Sequence, residues 1–130
     1  MKVRCITDDG YLFSPRKVRE GYNQKTTYNG IEVNRDYNVY GILFYEDGLR
    51  YLLFDDYETP YWYPAELFEV IENKIPETWY YKFYGYDEEG ISAIWGYYEL
   101  VHSEKHFDGL SEQEPEEIEL FLKIKKEMYN

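Results

Sequence analysis

Two histidines, one cysteine and twenty-six carboxylates are the side chains with which this chain could do metal, nucleophilic or acid–base chemistry. His102 and His106 stand at i, i+4, so a single helix would put both on one face, the beginning of a metal site. The order H-E-x-x-H is not met, because Ser103 follows the first histidine and Glu104 comes one place too late. Glu99 and Asp108 are third ligands only by abundance. Surface or capping roles suit the two histidines better, and neither a metal nor another cofactor is expected. Cys5 lies in a short strand-like run without a nucleophile signature around it, and reads as a buried core thiol. The phosphate-cradling patterns G-x-x-x-x-G-K-[ST] and G-x-G-x-x-G do not occur, nor does the elbow G-x-S-x-G. Twenty-six acids guarantee carboxylate pairs somewhere, so a glycosidase-type pair cannot be read from their presence. No nucleophile, base and orienting group stand out together, and the chain is not expected to be an enzyme.

The aromatic and acidic residues point to binding instead. Asp55, Asp56 and Glu58 lie among Tyr57, Tyr61, Trp62 and Tyr63, and a second acidic run follows at Asp87, Glu88 and Glu89. Aromatic anchors carry much of the energy of protein interfaces, so these ten residues are the candidate partner-binding set. The 55–58 stretch lacks the alternating spacing of a calcium loop. The competing reading of the whole region is an aromatic core with a solvated turn.

Charge narrows the partner. The net charge is −12, and it is unevenly placed: residues 1–40 hold seven Lys/Arg against five Asp/Glu, residues 41–130 seven against twenty-one. Such a field repels phosphate backbones and anionic membranes and favours a basic protein partner bound in a salt-sensitive way. Solubility alone is the other use of an acidic surface.

The elements that must position these residues are mostly strands. Aromatics make up 21% of the 130 residues, and they favour pleated, half-buried surfaces. The length fits one domain, 1–130. A single cysteine excludes a disulfide framework, and neither a signal pattern nor a run of about 18 apolar residues is present, so a soluble, cytoplasmic protein is expected.

Along the chain, a first strand is expected over Lys2–Thr7, stopped by Asp8-Asp9-Gly10. Residues 11–30 read as a long irregular loop carrying Arg16, Lys17, Arg19 and Lys25. Tyr37–Tyr45 and Leu49–Phe54 flank Glu46-Asp47-Gly48 as a β-hairpin. Both strands carry apolar groups on both faces, which places them centrally in a sheet. Pro64 calls for a break or a one-turn 3₁₀ segment before a strand at Leu67–Glu72. A second hairpin pairs Thr78–Tyr84 with Ile91–Trp95, and Tyr97–Val101 reads as a short helical turn. The final helix starts either from Ser111, with Glu114 at capping-box spacing, or at Pro115. Its apolar stripe is expected at Ile118, Phe121, Leu122 and Met128, with acids early and Lys123, Lys125 and Lys126 late, complementing the helix dipole.

The segment Trp62-Tyr63-Pro64-Ala65-Glu66-Leu67-Phe68-Glu69-Val70 resembles the end of an SH3-type barrel, where an aromatic and a proline precede a 3₁₀ turn and the last strand. The opening strand, the long loop and the 37–54 hairpin follow the same order. The resemblance covers about residues 1–72 and implies a mainly β, β-rich α+β fold. In it, an SH3-like small barrel is extended over 73–130 by a second hairpin and a C-terminal helix. The ALYDY segment of peptide-binding SH3 domains is missing, so the chain is more similar to small bacterial SH3-like proteins of unassigned function. The part from Ile75 onward has no counterpart in a plain SH3 domain. Composition and this analogy together lead to an acidic protein-binding inhibitor as the expected function. An immunity protein neutralising a cognate bacterial toxin, such as a basic nuclease, is the leading form. The alternatives are an SH3-like peptide- or ligand-binding regulatory module and a phage-encoded inhibitor that imitates DNA charge against a defence nuclease.

Overall fold

The computed structural model describes residues 1–10, 26–45, 48–86 and 90–129. The expected loop segment 11–25, the hairpin residues Glu46 and Asp47, and the acidic run Asp87-Glu88-Glu89 lie outside the described residues.

Among the described residues, eight strands form two antiparallel sheets. The smaller contains β1 (Lys2–Cys5), β2 (Asp36–Asn38) and β6 (Phe68–Glu72) in the order β2-β1-β6. The larger contains β3 (Gly41–Tyr45), β4 (Gly48–Phe54), β5 (Pro60–Pro64), β7 (Tyr80–Phe83) and β8 (Ile91–Gly96), in the order β5-β4-β3-β8-β7. Among the described residues the helices are α1 (Tyr98–His102), α2 (Glu104–Ser111) and α3 (Pro115–Met128). A β-rich α+β fold results, as the aromatic composition leads one to expect.

The larger sheet is buried on both faces over much of its width, and β4 shows why. Tyr51 and Leu53 turn to one side and join Val3, Cys5, Tyr37 and Phe68 of the smaller sheet. Leu52, between them, turns to the other side and joins Leu43, Ile94, Leu100, Val101, Leu110 and Phe121 under the helices. Period-two alternation therefore produces two apolar cores from one unbroken apolar run. The expected hairpin is present, with Gly41–Tyr45 paired to Gly48–Leu52. Gly48 closes it at φ 130°, a conformation few other residues adopt.

Several elements differ in detail from the expectation. Tyr37–Tyr45 is two strands: β2 pairs with β1 in the smaller sheet, while β3 pairs with β4 and β8 in the larger. Val39 and Tyr40 carry the chain between the sheets, and both are buried. The first strand ends at Cys5, and the 3₁₀ turn expected after Pro64 occupies Ala65–Leu67. Pro115, not the residue after Ser111, begins the last helix, while Ser111 closes α2. The buried stripe of α3 runs through Glu117, Phe121, Ile124 and Met128, and Leu122 is 41% exposed.

Two contacts tie the C-terminal end of the described chain to segments beside the strands. The Tyr129 hydroxyl donates to the Val39 carbonyl. The Trp79 indole N–H meets the Met128 sulfur at 3.4 Å. Among the described residues, no helix is long and apolar enough to cross a membrane.

Candidate functional site

The turn between β4 and β5 is organised by Asp55, whose side chain points inward and is 5% exposed. Its Oδ1 accepts from the Tyr57 amide (3.0 Å), the Thr59 amide (3.1 Å) and the Thr59 hydroxyl (3.0 Å). Its Oδ2 accepts from the Tyr63 hydroxyl at 2.6 Å. Burial first, and then this bond to a carboxylate, push the Tyr63 hydroxyl far above the usual tyrosine range. Gly30 closes over the pair: a Cβ there would lie 2.2 Å from the Tyr63 hydroxyl oxygen.

Asp56 faces outward but is already paired. Arg35 Nη1 donates to it at 2.8 Å and the Tyr37 hydroxyl at 3.0 Å. Burial is the main cause that moves the Tyr37 hydroxyl up to about 12.

The seven candidates of this region therefore do not share one surface. Glu58 is exposed, and Tyr57 (65% exposed) and Tyr61 (52%) reach solvent around a depression of about 290 Å³ that Tyr28 and Tyr63 also line. Asp55 and Tyr63 lie inside. Trp62 projects to the opposite face of β5, half-buried 6.1 Å from the Phe107 ring in the helix-side core. The remaining candidates, Asp87, Glu88 and Glu89, lie outside the described residues.

The two histidines also separate. Ser103 ends α1 and caps α2, its hydroxyl accepting from the His106 amide at 3.1 Å, so the i, i+4 spacing spans a break between two helices. His102 is exposed and packs beside the rings of Tyr80 and Tyr98, which also touch each other. His106 is 1% exposed, bonded to the Tyr97 hydroxyl (2.6 Å) and to Glu117 (2.9 Å). Among the described residues, no group of three or more His, Cys, Asp or Glu is placed to hold a metal ion. The Cys5 thiol is buried, donates to the Thr7 carbonyl, and is moved up to about 11 mainly by burial. It is a poor nucleophile there.

A further group of exposed aromatics lies elsewhere, on β7 and its neighbours. Register places Leu49, Phe44, Ala93 and Phe83 in one row across β4, β3, β8 and β7. The next row is Tyr51, Ile42, Trp95 and Tyr81. Residues opposite one another in antiparallel strands share a face, so these eight form one side of the sheet, the side on which the smaller sheet packs. Cover is uneven, with Ala93 buried at 5% exposure. Tyr51 is 8% exposed, whereas Phe44 is 36%, Phe83 51% and Tyr81 54% exposed. Tyr81 rests on Trp95 at 5.0 Å and Phe83 meets Tyr86 at 5.3 Å.

Among the described residues no strand of the larger sheet follows beyond Phe83, and β7 is its edge. β7 is a short edge strand of four residues with one lysine, Lys82, and around that charge its aromatic side chains are exposed. The sequence contains a sign of it: Trp79–Phe83 holds aromatics at odd and even positions alike, more than one buried face requires. Without the topology, that run reads equally well as a central strand.

Comparison of the chain with family models, curated proteins and solved structures finds no match.

Proposed function

We propose that this chain is an acidic protein-binding domain that inhibits a basic partner, in the manner of an immunity protein neutralising a bacterial toxin. The observation that carries the reading is the set of exposed aromatics Phe44 on β3 and Tyr81 and Phe83 on β7, on a chain of net charge −12. Tyr, Trp and Phe are the residues that anchor interfaces, because each buries a large area while fixing few rotors. The acids supply the second half of recognition. In sequence, Asp87-Glu88-Glu89 follow Tyr86 directly, and a field of this sign speeds the approach of a basic surface.

A second reading, an SH3-like regulatory module, has its own support. β1 pairs with both β2 and β6, and a 3₁₀ turn precedes β6, as in the barrel that the 62–70 segment resembles. The two readings differ in where the partner sits. The inhibitor reading uses Phe44, Tyr81, Phe83 and Trp95, whereas an SH3-like groove would use the aromatics about the Tyr57–Tyr63 turn.

Immobilised protein is used to isolate a partner from the native cell, and its affinity is measured across ionic strength. Affinity falling steeply with salt, and lost in Tyr81→Ser/Phe83→Ser but kept in Tyr57→Ser/Tyr61→Ser, is the expected result. Affinity indifferent to salt, or lost only in the second variant, overturns it.

A further inference from the structure

A cavity of about 550 Å³ opens between the β7–β8 hairpin and the α1–α2 corner, on the face of the sheet opposite the aromatic rows. Ile91, Leu100 and Val101 make its apolar floor, and Tyr84 and Phe107 stand as aromatic walls. Glu104 and Asp108 also line it. They are four residues apart on α2, which puts both carboxylates on one side of that helix. Among the described residues neither carboxylate makes an ion pair or a side-chain hydrogen bond. One cation already lies in this wall: the Lys82 ammonium sits 4.9 Å from the centre of the Tyr84 ring.

We propose that this cavity receives an arginine side chain of the partner protein. The inference rests on the protein-binding reading above and names a contact within it. An apolar floor suits the three methylenes of arginine. A guanidinium is planar, so it stacks on an aromatic face and forks to carboxylates, and the cavity presents both. Two carboxylates against one lysine leave the lining net negative, which disfavours an anion. Glu104 in the first turn of α2 also complements the helix dipole, but Asp108, one turn on, gains nothing there. The partner's arginine takes over the aromatic wall from Lys82, whose long stem lies on the exposed edge strand and can swing into solvent.

Isotope-labelled protein is titrated with a blocked tripeptide carrying a central arginine, and separately with its citrulline counterpart, which has the same shape and no charge. The expected result is a saturable set of amide shifts confined to Tyr84, Leu100–Val101 and Phe107–Asp108. Citrulline, or the Glu104→Gln/Asp108→Asn variant, weakens binding by about tenfold, the scale of one charge-assisted contact. An equal response to citrulline, shifts spread over the whole acidic surface, or saturable binding of inorganic phosphate in the cavity overturns the proposal. The citrulline comparison uses unaltered protein, so it is read even if the variant is unstable. A partner that binds Glu104→Gln/Asp108→Asn as tightly as wild type sinks the cavity inference and leaves the protein-binding reading standing. Peptide bound in the cavity with no protein partner found does the reverse.

Discussion

The Tyr97 hydroxyl lies 2.6 Å from Nε2 of His106 inside the molecule, and Nδ1 of the same ring lies 2.9 Å from a Glu117 carboxylate oxygen. The three side chains are 5%, 1% and 8% exposed. With Glu117 ionised, the ring donates from Nδ1 and accepts the Tyr97 proton at Nε2, so each buried polar group has a partner. The chain of bonds joins the end of β8 to α2 and α3. Gly109 makes room for it, since a Cβ there would fall 2.2 Å from Glu117 Cγ.

His106→Ala is therefore expected to cost about 3 kcal/mol, because it strands two buried groups and leaves a void. Tyr97→Phe removes one donor and costs about 1 kcal/mol. Urea unfolding of both variants checks the order. A His106→Ala protein as stable as wild type would show that the network is not what docks α2 and α3.

Gly41 and Gly96 face each other across β3 and β8, and Leu100 of α1 rests on the space they leave. A Cβ at either position would lie 2.5 or 2.6 Å from Leu100 Cδ2. Gly96→Ala is expected to cost about 1–3 kcal/mol by overpacking. In a Leu100→Ala background the same change should cost clearly less, since the clashing methyl is gone. Additive costs in this double-mutant cycle would place the strain elsewhere.

Asp55 was a contact candidate by composition, and its four accepted hydrogen bonds give it a different task. Asp55→Ala should destabilise by about 3 kcal/mol, because it leaves the Tyr63 hydroxyl and two amides without their acceptor. Glu58→Ala and Tyr61→Ser, at the surface of the same turn, should change stability by no more than about 0.5 kcal/mol. Thermal melts of the three variants separate the roles.

These cases show what the residue pattern can and cannot carry. Both hairpins, the 3₁₀ turn after Pro64 and the buried Cys5 are legible, because alternation, proline and local polarity encode them within a few residues. The division of Tyr37–Tyr45 between two sheets is not, since Val39 and Tyr40 carry neither a glycine nor a proline to mark the passage. Nor can local spacing tell that Asp55 turns inward while Asp56 turns outward. Asp55 is held by Tyr57 and Thr59 of its own turn and by Tyr63 of the next strand, whereas Asp56 meets Arg35 and Tyr37, which are distant in sequence. His102 and His106 illustrate the same limit: the i, i+4 count is right, but Ser103 caps a second helix and breaks the face they would have shared.

High pH should loosen the fold before other alkaline damage. Burial is the first cause raising the hydroxyls of Tyr37, Tyr63, Tyr97 and Tyr129, Tyr37 to about 12, against 10.0 for free tyrosine. A group raised on folding holds its proton more tightly in the native state, so its stabilisation is complete below pH 10 and declines as pH climbs toward the folded value. Denaturant midpoints should therefore be flat with respect to these groups up to about pH 10 and fall above it. Tyrosinate absorbance should show a set of hydroxyls that ionises only together with loss of the fold. Smooth ionisation of every tyrosine with the fold intact would contradict the burial of these four.

Phe83 tests whether the β7 edge is open in solution. It is 51% exposed and lies at the end of the Leu49–Phe44–Ala93 row, where among the described residues no further strand follows. If the face is free, Phe83→Lys gives up little packing and should shift stability by no more than about 1 kcal/mol. The same change places a charge on an edge strand, the usual device against edge-to-edge pairing, so self-association at high concentration should drop. Light scattering across a concentration series, read beside a melting curve, checks both parts. A large loss of stability would mean that Phe83 is packed in the free protein, and the aromatic rows would then be core rather than contact surface.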